Sequence, residues 1–279
     1  MKHTTKRISA LLLALTLLLT VMSGCGNTTP AAAGATAAPT AAAAEVPAAE
    51  DPAAAPADAP VIEGLTFSEE SPLKYATVFR LFRYEGGYTL IRIDNGGDFL
   101  VVPEGAAVPA KMDSSVTVLQ QPLDKIYLAA TSAMSLFAAV DALDHIRLTG
   151  TRESGWYIDA AVEAMQRGDI EFAGKYSEPD YERLIDEECD LAIESTMIYH
   201  TPKVKEMIED LGIPVLVDRS SYEQHPLGRT EWIKLYAALV GKDAEAAEFF
   251  DQQAAIITQL EGFENTGKTV AFFFVNSDG

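Results

Sequence analysis

The chain has 279 residues, 41 of them acidic against 21 basic, for a formal net charge of −20. So acidic a chain is a poor binder of nucleic acid, whose phosphates it repels, and no dense basic run argues otherwise. Its two cysteines exclude a disulfide framework and a CxxC metal site.

Lys2, Lys6 and Arg7 precede an apolar run, residues 10–21, that is too short to cross a bilayer comfortably. Met22-Ser23-Gly24-Cys25 closes it, and small residues ahead of a cysteine resemble the lipobox of bacterial lipoproteins, with Met22 where leucine is usual. The resemblance implies a signal peptide over residues 1–24 and a lipid anchor on Cys25. The chain would then be extracytoplasmic, held to the membrane without spanning it. An ordinary signal peptide with a chance cysteine is the alternative. Losing the leader would take the formal charge to about −23. Residues 25–60 are Ala, Pro and Thr with a few acids and no aromatic ring. Such a stretch cannot bury enough surface to offset its ordering entropy and reads as a flexible tether.

Residues 61–122 have β character. Three runs rich in β-branched and aromatic residues (ATVFRLFRYE, YTLIRI, DFLVVP) are separated by Gly86-Gly87 and Asn95-Gly96-Gly97, which predicts a small meander of about three antiparallel strands. From residue 123 to 242 strands and helices alternate. Strands are expected over 126–130, 146–149, 190–194 and 213–217. Helices are expected over 132–143, 156–167, 177–188 and 201–211, the third opened by a capping box of Ser177 and Asp180 and the fourth by Thr201-Pro202. Apolar strands alternating with helices predict an α/β lobe, a parallel sheet with helices on both faces. In such a sheet ligands sit beyond the carboxyl ends of the strands.

Residues 243–262 predict one long helix, N-capped by Asp243, with Ala246, Phe249, Phe250, Ala254, Ile256, Ile257 and Leu260 near helical spacing. At 1.5 Å per residue it would reach about 28 Å. After it, residues 268–275 read as a buried strand. Residues 262–269 match the phosphate-loop expression letter for letter. A working loop follows a strand and opens a helix, whereas here the order is reversed, so the match is read as chance.

The run YERLIDEECDLAIES, the helix after it, and LGIPVLVDRSSYEQHPLGRTEWIKLYAALVGKDAEAAEFF resemble the N-terminal lobe and interdomain helix of periplasmic binding proteins. The likeness is to the branch that serves ABC importers of ferric siderophores, haem and cobalamin. It implies that residues 243–262 join two lobes and that residues 263–279 begin a C-terminal lobe that is otherwise missing. It also implies capture of a ferric chelate, haem or cobalamin-type ligand and delivery to an ABC permease and ATPase complex. Glu171 matches the place of the glutamate that pairs with permease arginines; a solvated acid is the alternative.

The strand-end loops supply the candidate ligand contacts: Thr131, Ser132, Arg152, Trp156, Glu194, Ser195, Tyr199, Arg219 and Tyr222. Hydroxyls, guanidinium groups and aromatic faces suit a bulky chelate with anionic oxygens and a flat body. Caps, surface ion pairs and packed core tyrosines are the alternatives. His145, His200 and His225 lack helical i, i+4 spacing, so no dedicated metal cage is expected and no cofactor is implied. Neither a GxSxG elbow nor an HExxH motif occurs, so the chain is read as a binding protein rather than an enzyme. A surface-anchored α/β hydrolase and a binding module without an importer are the competing readings.

Overall fold

The computed structural model describes residues 59–260, 264 and 266–271; the leader, Cys25 and nearly all of the tether lie outside them. The first sheet has five strands, β1 (Phe67–Glu70), β2 (Phe79–Tyr84), β3 (Thr89–Ile93), β4 (Gly97–Val102) and β5 (Val116–Gln120), in that spatial order. The first four run antiparallel, while β5 lies parallel to β4. The expected three-strand meander is therefore the centre of a larger sheet. The edge strands escaped the sequence reading because FSEE is mostly polar and VTVLQ reaches its partner only through a crossover.

The second sheet is wholly parallel. It is built from β6 (Ile126–Leu128), β7 (Ile146–Thr149), β8 (Glu171–Phe172), β11 (Leu191–Ser195) and β12 (Val215–Asp218), ordered β12-β11-β6-β7-β8. A small antiparallel hairpin, β9 (Gly174–Lys175) with β10 (Glu178–Pro179), follows β8. Alternate residues serve opposite faces, as strand geometry requires. Leu191 and Ile193 join one apolar cluster with α1 (Thr131–Ala139), α2 (Asp159–Arg167) and the apolar helix α6 (Ile233–Val240). Ala192, Tyr127, Val215 and Val217 face the other way, against α3 (Tyr181–Asp186) and α4 (Pro202–Asp210). Helices thus cover both faces, the expected α/β arrangement.

Local signals shift some boundaries. Asp180 alone caps α3, accepting from the Arg183 N–H at 3.1 Å, while Ser177 lies in the turn before β10, so the predicted capping box does not form. Helix α2 begins at Asp159, because Trp156 turns inward and both it and Ile158 have extended backbone. The Thr201 hydroxyl bonds the Ile198 carbonyl rather than an N–H of α4.

The first sheet shares the core of the parallel one: Phe79, Leu81, Ile91 and Phe99 pack with Phe137, Trp232 and Tyr236 in one cluster. Two buried acids fasten the join. Glu231, the last residue of α5 (Pro226–Glu231), accepts from the backbone N–H groups of Lys74, Tyr75 and Ala76 and from Lys234 Nζ, at 2.7–3.0 Å. Glu223 accepts from the Thr77 and Val78 N–H groups and from Trp232 Nε1. Gly228 lies so close that a Cβ there would meet the Tyr75 carbonyl at 3.0 Å and the Glu223 side chain at 3.2 Å.

Helix α7 (Asp243–Leu260) packs only as far as Ala254. Ala246 and Phe250 are fully buried, and Arg83–Asp243 and Lys74–Asp251 ion pairs tie it to the first sheet and its approach. Residues 255–259 are all exposed, Ile256 and Ile257 among them. The predicted strand after it is not seen where it can be checked: residues 268–271 form no strand and are exposed, and residues 272–275 lie outside the described residues.

Truncating Glu231 to Ala would strand three inward-facing N–H groups, at an expected cost of about 3 kcal/mol. Urea denaturation should show a clearly lower midpoint for Glu231→Ala, whereas Asp251→Ala, which removes an exposed ion pair, should scarcely move it.

Candidate ligand cleft

The carboxyl ends of β12, β11 and β6 meet at an open cleft of ≈ 320 Å³. Its walls are Ser132, Ser135 and Leu136 from α1, Ser195 and Thr196 after β11, Asp218, Ser220 and Ser221 at the end of β12, and Arg229 and Thr230 from α5. At its base Asp218 is almost fully buried and accepts from the Ser132 hydroxyl and from the Ser220 N–H at 2.6 Å. The fully buried Tyr236 phenol lies beside Asp218, and its pKa is raised well above the usual phenol value, first by burial and then by the Asp218 charge and hydrogen bonding. The cleft therefore presents hydroxyls and one exposed guanidinium, a lining suited to ligand oxygens.

The candidate residues divide. Ser132 and Ser195 line the cleft, and Thr131 is exposed beside Ser132 at the start of α1. The Ser195 hydroxyl also caps the turn Thr196–His200, accepting from the Met197 N–H. Tyr199 and Tyr222 are 45% and 50% exposed on the loops after β11 and β12, so neither is a packed core ring. Arg219 lays its guanidinium over the Tyr222 ring at 4.5 Å and buries its Nε without a partner. Arg152 occupies a second hollow, of ≈ 610 Å³, at the ends of β7 and β8, stacked over Phe172 at 4.2 Å.

Three expectations are corrected. Trp156 is a core residue, packed in the main apolar cluster with its Nε1 donating to the Thr151 carbonyl at 3.2 Å. The exposed ring on that loop is Tyr157, 95% accessible. Glu194 points into the second apolar cluster rather than the cleft, because it shares the inward parity of Ala192 on β11. Its carboxyl is fully buried with neither oxygen hydrogen-bonded, and burial pushes its pKa up to about 8. Glu171 is not a free acid: its half-buried carboxylate is ion-paired with Arg147 and Arg183.

Ser135, Ser221, Arg229 and Thr230 were missed. Ser135 follows Ser132 by three residues and so shares its face of α1, a spacing legible in sequence. Arg229 and Thr230 reach the cleft only because the Glu223 and Glu231 contacts bring α5 alongside. His225 is structural: its Nδ1 caps α5 by accepting from the Leu227 N–H, and its ring stacks on Tyr75.

No protein-family model matches the sequence. Over 209 residues the chain is 24% identical to an uncharacterized lipoprotein of Methanocaldococcus jannaschii, covering 64% of this chain and 49% of that protein. The chain thus spans about half the length of the curated relative it matches. Among solved structures it is similar to a possible iron-binding (periplasmic solute-binding) protein of Staphylococcus epidermidis. That match has 16% identity and a TM-score of 0.41, with 53% of this chain and 54% of that one covered. It is also similar to a periplasmic haem-binding protein of Vibrio cholerae, at 18% identity and a TM-score of 0.40, with half of each chain covered.

Glu194 makes a pH prediction. The unfolded chain releases this proton near the usual carboxylate pKa of about 4.3, while the folded chain holds it to about 8. Its contribution therefore weakens folding as pH rises through that window and is neutral below it. Glu194→Gln should be more stable than the parent at pH 7 by roughly 3 to 4 kcal/mol, and the difference should vanish below pH ~4. Urea midpoints measured across pH would reverse this account if the gap were constant.

Proposed function

We propose that this chain is the N-terminal lobe and connecting helix of an extracytoplasmic solute-binding lipoprotein. In this reading it is anchored through Cys25, captures an iron chelate, haem or cobalamin-type ligand, and passes it to an ABC permease and its ATPase. The domain reading follows: residues 1–24 a leader, 25–60 a tether, 61–122 a sheet packed on the lobe, 123–242 the lobe, 243–262 the strut, and 263–279 the start of a second lobe.

The observation that carries the proposal is a pairing of features. An open, hydroxyl-lined cleft stands at the carboxyl ends of parallel strands, where α/β sheets bind ligands. In the same body α7 leaves the core after Ala254, with Ile256 and Ile257 uncovered. A cleft open to this degree is half of a clamp, and a helix that projects from its own core is suited to carry the other half. The leader and lipobox support the address, as does the likeness to the archaeal lipoprotein. Among the described residues no helix is long and apolar enough to cross a membrane.

Binding can be followed by isothermal titration of ferric chelates, haem and cobalamin into the chain. Ser135→Trp, which fills the cleft from the exposed side of α1, should weaken the bound ligand at least ~10-fold without lowering the urea midpoint. Unaltered affinity in that variant would move the site away from this cleft. Hydrolysis of ester or glycoside substrates would favour the enzymatic alternative instead.

A further inference from the structure

Two histidines use Nδ1 in opposite senses. His145 Nδ1 lies 2.7 Å from the Leu123 carbonyl, which can only accept, so this ring donates. His225 Nδ1 lies 3.1 Å from the Leu227 backbone N–H, which can only donate, so this ring nitrogen offers a lone pair and carries no proton. Adding a proton leaves the His145 bond intact. It abolishes the His225 bond, because an N–H would then face an N–H.

The His225 bond caps α5, the short helix that brings Arg229 and Thr230 into the cleft wall. The ring also stacks on Tyr75, centroids 4.5 Å apart and planes 22° apart, and Tyr75 donates its own N–H to Glu231 at the far end of α5. One imidazole thus joins the start of α5 to the segment that leads into β2. The charged groups of the surrounding elements are engaged elsewhere. Glu223, in the same loop, takes the Thr77 and Val78 N–H groups and Trp232 Nε1, while Glu231 takes those of residues 74–76 and Lys234 Nζ. Lys74 pairs with Asp251 of α7, whose Phe250 meets Tyr75 edge-on, and Arg229 donates to the Ser221 carbonyl. A cationic ring would also sit where the unpaired N–H groups of a helix start point, an unfavourable place for positive charge.

We propose that His225 is a positioning residue whose proton state sets the cleft wall. Neutral, it holds α5 with Arg229 and Thr230 in place; protonated, it frees the start of α5 and weakens capture. Imidazole is the side chain that ordinarily changes charge between about pH 5 and 8, so the wall loosens on acidification. The effect on α5 stands on the hydrogen bond alone, and the effect on capture rests on the solute-binding reading above.

Proton–nitrogen NMR of the full chain tests both ring and backbone. Near pH 7 the His225 ring should carry its proton on Nε2 and none on Nδ1. As pH falls to about 5, the Leu227, Arg229 and Thr230 amides should shift in step with that ring. Their exchange, corrected for intrinsic rates, should quicken ~3- to 10-fold, the scale of a lost helix cap. Glu194, which keeps its proton to about pH 8, stays neutral across this window. His225→Asn supplies an oxygen that accepts at every pH, so in that variant the change should disappear. Ferrioxamine B and cyanocobalamin, whose charges are constant here, should bind the parent ~3- to 10-fold more weakly at the lower pH and bind His225→Asn equally at both. A proton on Nδ1 near pH 7, or α5 amides that ignore the ring, would overturn the proposal even if the variant folds poorly. Amides that respond while affinity does not would overturn the link to capture. Binding of neither probe would overturn capture of those two ligand classes and leave the ring and amide shifts to decide the rest.

Discussion

Residues 74–78 approach β2 with their backbone N–H groups turned toward the interior, and Glu223 and Glu231 are the groups that receive them. Removing a carboxylate from water is costly, and here several short hydrogen bonds to each side chain offset that cost. The arrangement welds the first sheet to α5 and, through Trp232 Nε1, to the centre of the shared core. It also decides where Arg229 and Thr230 stand, because both ride on α5. The cleft is thus set by two acids that do not line it. Gly228 is the steric counterpart, a position where a Cβ would sit tightly against the residue 75 carbonyl and the Glu223 side chain.

Many of the acids serve the structure. Glu223, Glu231, Glu187 and Asp98 each receive donors from the fold. Asp218 does the same inside the cleft, taking the Ser132 hydroxyl and the Ser220 N–H and so fixing α1 against the end of β12. Glu194 is the exception, an acid buried without donors, and the interior holds it in its neutral form at ordinary pH because ionisation there would be uncompensated. Its neighbours in that cluster include the phenols of Tyr127 and Tyr181, whose own pKa values are raised chiefly by burial.

The parallel sheet and its helices were legible because strand and helix periods differ, and apolar strands such as LAIES and VLVD admit no exposed face. Edge strands were not, since a polar strand like FSEE owes its place to its neighbour rather than to its own pattern. At the site, position after a strand found Ser132 and Ser195, which sit where chain order puts them. The same rule misassigned Trp156 and Glu194, whose direction depends on parity and on a turn that tucks a ring inward. For Glu194 the parity was available: two residues from Ala192 means the same face. Arg229 and Thr230 carried no such mark, because their contribution is created by long-range packing. The lipid anchor rests on residues 22–25, outside the described structure.

The central claim is that the carboxyl edge of the parallel sheet is one half of a ligand clamp. Amide hydrogen exchange with and without a saturating ferric chelate tests it most directly. The account predicts slowed exchange confined to the loops after β6, β11 and β12 and the start of α5, around residues 129–136, 195–200, 218–222 and 226–230. Protection absent there and present instead between β1 and α7, or spread evenly over the chain, would contradict it.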